Sequence, residues 1–200
     1  MTDELIGAVT LAQTTTQMVT AVQNLAAAKD PAVIPTLIAV FGYNNPAAAA
    51  VAVTALIQWG ETAVPELLTQ IDDYNYGARA YSIRTLAAIG DPRALDVLIT
   101  AAATDFAPSV RRAAVKGLGN LNWDQLGSVA SQAAINKSLE TLLFISQDSD
   151  WSIRYAAVVG LQALAKIAEI QQPIRARLEE MLTTDTEKVV RARVQLAHCQ

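Results

Sequence analysis

The chain holds one cysteine and one histidine, and they are neighbours, His198 and Cys199, at its C-terminal end. A thiolate activated by a nearby base is a common route to covalent catalysis. Their place at the extreme terminus reads instead as the end of a last helix. One cysteine excludes an internal disulfide, and one Cys with one His are too few ligands for zinc. No serine has a histidine near it in sequence, and there is no Gly-rich phosphate loop and no His–carboxylate cluster. Any covalent chemistry here must use a nucleophile that the substrate brings. The charged residues that do recur are four Asp–Arg pairs at one spacing: Asp73/Arg79, Asp105/Arg111, Asp148/Arg154 and Asp185/Arg191.

Each Arg opens an Ala-rich amphipathic stretch. Leu86, Leu118 and Leu161 each follow the Arg of their own stretch at the same interval, and Leu56 and Leu25 extend the series backwards without an Arg. Self-similarity at roughly thirty residues marks stacked helical hairpins. In register, the outer helices span Ala32–Phe41, Thr62–Ile71, Arg93–Ala103, Ser138–Ser146 and Pro173–Leu182. The inner ones span Ala47–Trp59, Ala78–Ile89, Ser109–Leu121, Ser152–Lys166 and Lys188–His198. Two further helices precede them, one around Leu5–Leu11 and one over Thr14–Ala28. Asp30–Pro31, Asn45–Pro46 and Asp91–Pro92 supply an N-cap followed by a proline at the first helical position. Gly60 and Gly90 end helices at equivalent places. The step from Leu118 to Leu161 is longer by about a dozen residues, which places an insertion at 122–136, opened by an Asn122 cap. The expectation is an all-α, right-handed α–α superhelix of about five hairpins, forming one repeat domain over 1–200.

Net charge is −4, which argues against general nucleic-acid binding. No basic segment precedes an apolar run at the N-terminus. The longest apolar run, from Pro46 to Ile57, is too short to span a bilayer. A soluble cytoplasmic protein is expected, with no metal, no nucleic acid and no membrane insertion.

An Asp, five residues, then Val/Ile–Arg and an Ala-rich helix resembles the HEAT repeat over nearly the whole chain. The resemblance implies that the Asp and Arg residues form a structural ladder between hairpins, with Arg111 serving Asp105 and Arg191 serving Asp185. It also implies that the Arg-bearing helices line a concave groove, into which residues one and five positions after each Arg project. Those positions hold Ala80, Arg112 and Tyr155, and Arg84, Lys116 and Val159; Ala50 and Thr54 match them in the repeat that lacks the Arg. Arg84, Arg112 and Lys116 thus give the groove a local field opposite in sign to the net charge. Tyr74, Tyr76, Tyr81, Phe106, Trp123 and Trp151 fall near its rim. Aromatic faces beside cations suit a flat, conjugated molecule that bears carboxylates.

The segments YNYGARAY and DFAPSVRRAA, within Asp72–Trp123, are similar to the bilin lyase branch of the HEAT-like proteins. Within that branch the resemblance is to the F-type (β) subunit of heterodimeric E/F phycocyanobilin lyases. It implies an enzyme subunit, active only with an E-type partner, and with no permanently bound cofactor. Phycocyanobilin is the substrate, joined by a thioether to a cysteine of the phycocyanin α-subunit. The acceptor supplies the thiol, which adds to the ring A ethylidene group. Arg84, Arg112 and Lys116 would hold the propionates, and Tyr74, Tyr76, Tyr81, Trp123, Trp151 and Tyr155 would border the tetrapyrrole. A relative that also isomerises its bilin carries a His–Cys motif in mid-chain. GLGNLNWDQL stands here instead, so attachment without isomerisation is expected. The alternative is a non-catalytic HEAT adaptor that binds phycobiliproteins, for example during phycobilisome disassembly.

Overall fold

The structure is a computed structural model that describes residues 1–71 and 75–198. The expected roles of Asp73, Tyr74 and Cys199 fall outside the described residues. Among those described, every regular element is helical and no strand occurs. The chain divides into two compact units, 1–89 and 90–200.

The first unit contains α1 (Thr2–Leu11), α2 (Thr15–Ala26), α3 (Ile34–Ala39), α4 (Pro46–Trp59), α5 (Val64–Thr69) and α6 (Tyr76–Ile89). Helices α2, α4 and α6 lie side by side as an inner layer, with α3 and α5 packed behind them. The starts are chemical. Thr14 and Gln17 close a capping box at α2. The Asn45 side chain accepts from the Ala48 amide at 3.1 Å at the head of α4. At the end of α4 the chain turns at Gly60, whose φ of 58° and ψ of −134° suit glycine alone. In α4 the buried residues are Ala48, Ala49, Ala52, Ala55 and Leu56, small enough for helices on either side to approach closely. The outer helices are shorter than the sequence pattern indicates. Pro35 and Pro65 sit in the first turns of α3 and α5 and donate no amide, and 3-10 turns cover Pro31–Val33, Val40–Gly42 and Gly60–Thr62 instead.

The second unit contains α7 (Leu95–Thr104), α8 (Pro108–Leu118), α9 (Ser128–Ile145), α10 (Trp151–Leu164), α11 (Gln171–Thr184) and α12 (Lys188–His198). Here α8, α10 and α12 form the inner layer; α7 and α9 pack together behind α8, and α11 lies against α10 and α12. The insertion resolves into a 3-10 turn, Trp123–Gln125, and the first turns of α9, which at 18 residues is the longest helix described. Asn122 caps that turn through the Asp124 amide at 3.3 Å, and its own amide donates to the Gly90 carbonyl at 2.7 Å. Gly90 has φ 73°, and a Cβ there would meet the Asn120 carbonyl oxygen at 2.8 Å, so position 90 admits no side chain. Where α8 meets α10, Gly119 and Gly160 bring main chain against main chain. A Cβ on Gly160 would lie 2.8 Å from the Val115 carbonyl oxygen and 2.9 Å from a Leu142 methyl.

The recurring leucines are the cores of these stacks. Leu25, Leu56 and Leu86 in the first unit, and Leu118 and Leu161 in the second, are fully buried. The Asp–Arg pairs are the rungs. Arg111 places Nη2 2.5 Å from Asp148 Oδ2, and Arg154 grips both oxygens of Asp185 at 2.8 and 2.9 Å. Both arginines therefore reach forward to the Asp of the following repeat. This corrects the expectation that Arg111 serves Asp105: its carboxylate partner is Asp148, and its Nε donates to the Ala102 carbonyl at 2.9 Å. Arg111 meets its own repeat through main chain, at the Ala102 carbonyl, and its Nη2 reaches the carboxylate of the next repeat, while each described Asp of the ladder also folds its own turn. Asp105 accepts from the Ala107 amide, and Asp148 and Asp185 do the same at the equivalent amides of Asp150 and Glu187.

The pairing of Arg191 with the Asp185 carboxylate needs the same correction. That carboxylate is taken by Arg154 and the Glu187 amide, and Arg191 Nη1 donates instead to the Asp185 main-chain carbonyl. Arg154 treats its own upstream Asp likewise, donating Nη1 to the Asp148 carbonyl at 2.8 Å. Within a repeat the Arg thus closes the turn through main chain, and between repeats it bonds through the carboxylate. Arg191 acts on the Asp185 carboxyl only through its charge, which helps to keep it ionised.

Behind this ladder the outer helices carry ties that the sequence pattern does not announce. Arg177 on α11 donates to the Ser146 hydroxyl at 2.7 Å and to its carbonyl at 3.0 Å, and Lys137 on α9 pairs with Asp96 on α7. No helix among the described residues is long and apolar enough to cross a membrane.

Candidate functional site

In the second unit, Arg112 and Lys116 are four residues apart on α8 and so share a face. Trp151 and Tyr155 stand in the same relation on α10, the helix packed beside it. Trp151 is the first residue of α10 and is 47% exposed, and Lys116 is exposed. The two helices are joined across this face by Arg112, whose Nη1 donates to Ser152 Oγ at 3.0 Å. Ser152 is itself fixed. Its amide donates to Asp150 Oδ1 at 2.7 Å, capping α10. The Ser152 side chain, then its amide, hold the Asp150 carboxyl below the ordinary carboxylate range, and the Arg112 charge adds to them. The Asp150 amide in turn donates to Asp148 Oδ1 at 2.8 Å. Neighbours in sequence, Arg111 and Arg112 thus engage one turn, the first through Asp148 and the second through Ser152.

The first unit has its own cluster on α6. Phe41 stacks on Tyr81 with ring centroids 5.4 Å apart and planes at 29°, and the Arg84 guanidinium carbon lies 5.7 Å from the Tyr81 centroid. Tyr76, 42% exposed, has the Arg79 guanidinium 6.0 Å from its ring centroid. Tyr81 is therefore packed against a neighbour and a cation, not presented bare. Between α2 and α4 lies a shallow depression of about 360 Å³, lined by Gln23, Ala26, Ala50, Val51, Thr54 and Gln58 among others. Ala50 and Thr54 are the two positions that the repeat register assigns to the groove, and the flanking glutamines come from no motif.

The structure thus brings Arg112 and Lys116 to one helix pair with Trp151 and Tyr155, and Arg84 to Tyr81. Trp123 is half-buried on the connection past the end of α8. Tyr74 falls outside the described residues. The residues that sequence reasoning passed over are Asp150 and Ser152. Asp-x-Ser ahead of an apolar run is a recognisable cap, but nothing in it reveals that the hydroxyl meets a guanidinium from the preceding repeat.

Comparisons with known proteins agree on what carries these features. The family model for HEAT repeats matches residues 34–119 and 99–197. A phycocyanobilin lyase subunit beta from Nostoc sp. strain PCC 7120 is 72% identical over 200 residues, covering all of both chains. The phycocyanin alpha phycocyanobilin lyase CpcF of Synechocystis sp. strain PCC 6803 is 45% identical, covering 96% of this chain and 90% of that one. In the solved complex of CpcE and CpcF of phycocyanin lyase from Nostoc sp. PCC7120, a chain 74% identical superimposes with a TM-score of 0.82, over 84% of this chain and 99% of that one. By ladder, repeat and end-to-end identity, the chain belongs to the HEAT-repeat family of phycocyanobilin lyase β-subunits.

Proposed function

We infer that the chain is the β, or F-type, subunit of a heterodimeric lyase that attaches phycocyanobilin to the phycocyanin α-subunit. The observation that carries this is the 72% identity to a phycocyanobilin lyase β-subunit over the full length of both proteins. The inventory of side chains is consistent with it. The acceptor's cysteine brings the thiol. Its sulfur bonds to the ethylidene carbon of ring A, the thiol proton passes to the tetrapyrrole, and nothing leaves. The lyase need only bind, orient and shield the bilin while that addition occurs. An E-type subunit is the obligatory partner, the phycocyanin α-subunit the acceptor, and the cytoplasm the place of action.

The bilin contacts follow from the chemistry of the two faces. Arg112 offers a planar fork to a propionate, and Lys116, one turn further along α8, offers a point charge. Trp151 and Tyr155 provide apolar ring faces for pyrroles and a phenol for a pyrrole N–H or carbonyl. The first unit, by itself, offers the same chemistry in Arg84 and Tyr76, with Tyr81 beside Arg84. The test is co-production of the chain with an E-type partner, the enzymes of bilin synthesis and the phycocyanin α-subunit. A covalent, red-fluorescent α-subunit that requires both lyase subunits is the expected product. Non-covalent capture of pigment or phycobiliprotein, with no thioether formed, would refute the assignment.

A further inference from the structure

We propose that Ser152 is a positioning residue for bilin recognition, holding the Arg112 guanidinium at one end so that its remaining N–H groups face a propionate. This deepens the bilin-contact reading of Arg112 and rests on it. An arginine at the surface of a helix carries several rotatable bonds, and fixing it costs side-chain entropy at the moment a ligand binds. Here that ordering is done beforehand. The guanidinium is anchored at 3.0 Å by a hydroxyl on the first turn of α10, where the main chain is fixed by the bond from the Ser152 amide to Asp150. The donors and acceptors are consistent along the chain of contacts. Arg112 donates to the serine oxygen, which accepts through a lone pair. One guanidinium hydrogen is used, and the others remain for a carboxylate on the face that Trp151 and Tyr155 share.

The direction of the effect follows from the charges. Arg112 donates to the Ser152 hydroxyl, the Asp150 carboxylate accepts from the Ser152 amide, and the Arg112 charge acts on that carboxylate without a direct bond to it. Without the hydroxyl, Arg112 gains the freedom to fold onto Asp150 as an ion pair. A propionate would then compete with an anion already in place. Removing the Ser152 hydroxyl therefore weakens recognition of the free acid of the bilin and spares recognition of a bilin whose propionates are esterified.

The test uses the chain in complex with its E-type partner and measures binding of phycocyanobilin and of its dimethyl ester by absorbance titration. For the free acid, Arg112→Ala and Ser152→Ala should each raise the apparent Kd, the serine change by roughly five- to tenfold, the scale of one ordinary net hydrogen bond. Ser152→Thr, which keeps the hydroxyl, should bind like wild type. For the dimethyl ester the two alanine variants should match wild type. Adding Ser152→Ala to Arg112→Ala should cause no further loss. Normal free-acid binding by Arg112→Ala would overturn the contact reading itself. Weakened binding by Arg112→Ala with normal binding by Ser152→Ala would overturn the positioning role alone. So would equal losses by Ser152→Ala for acid and ester, because a purely structural defect affects both ligands.

Discussion

Arg154 and Asp185 are 14% and 3% exposed, and two N–H donors of the one reach two oxygens of the other. Surface ion pairs contribute little, but a shielded, bidentate pair whose partner is removed leaves a buried charge without compensation. Arg154→Ala should therefore lower unfolding free energy by about 3 kcal/mol, read from a urea melt. The pair also sets an acid response. The hydrogen bonds from Arg154 pull the Asp185 carboxyl below its ordinary value of 3.8. A depressed folded value stabilises the protein at pH above the unfolded one, and the contribution disappears as pH falls through the folded value. Asp91, nearly inaccessible and hydrogen-bonded by Arg93, shifts in the same direction and adds to the effect. The urea midpoint of the wild type should fall as pH drops below about 4, and that of Arg154→Ala should fall less. A midpoint equally acid-sensitive in both proteins would mean that other carboxylates dominate.

At the scale of the helices, spacing between inner helices is set by residues without side chains. Gly160→Ala should gain up to about 1 kcal/mol of helix propensity. It should lose more to the clash with the Val115 carbonyl and Leu142, giving a melting temperature several degrees lower. Gly7→Ala, on α1 with nothing within 4 Å of the added methyl, should raise it slightly. These elements also show how much the sequence discloses. Inner helices were legible almost to the residue: Ala47–Trp59 and Lys188–His198 correspond to α4 and α12, because buried leucines at a fixed register and Asn or Asp caps are local signals. Among the outer helices Arg93–Ala103 and Pro173–Leu182 also lie close to what is observed, but those of the first unit are divided near Pro35 and Pro65 into 3-10 and α segments whose hydrogen bonds no periodicity reveals, and α9 starts well before Ser138. Ladder residues were visible as a pattern, but their direction was not. For Arg111, an Asp six residues back and an Asp in the next repeat look alike until the turn is built. For Arg191, the choice between the carboxylate and the carbonyl of Asp185 depends on Arg154 arriving first from the neighbouring repeat. The site shows the same division. The placement of Arg112 and Lys116 on α8 and of Tyr155 on α10 follows from position in the repeat, whereas the contact of Arg112 with Ser152 depends on a neighbour forty residues away.

On the scale of the molecule, the family is that of a lyase β-subunit, and a relative 74% identical is solved in complex with CpcE. Purified alone, the chain should leave the phycocyanin α-subunit without chromophore, and adding an E-type partner should restore attachment, scored by covalent pigment after denaturation. Turnover by the single chain would contradict this. Within the second unit, the touching backbones at Gly119 and Gly160 carry a further consequence. A distance fixed by side chains drifts whenever a valine becomes an isoleucine, but a distance fixed by main-chain atoms does not. The pair acts as a gauge between α8 and α10. The surrounding core is free to exchange one aliphatic residue for another over evolutionary time while the separation of Arg112 from Ser152 keeps its calibration.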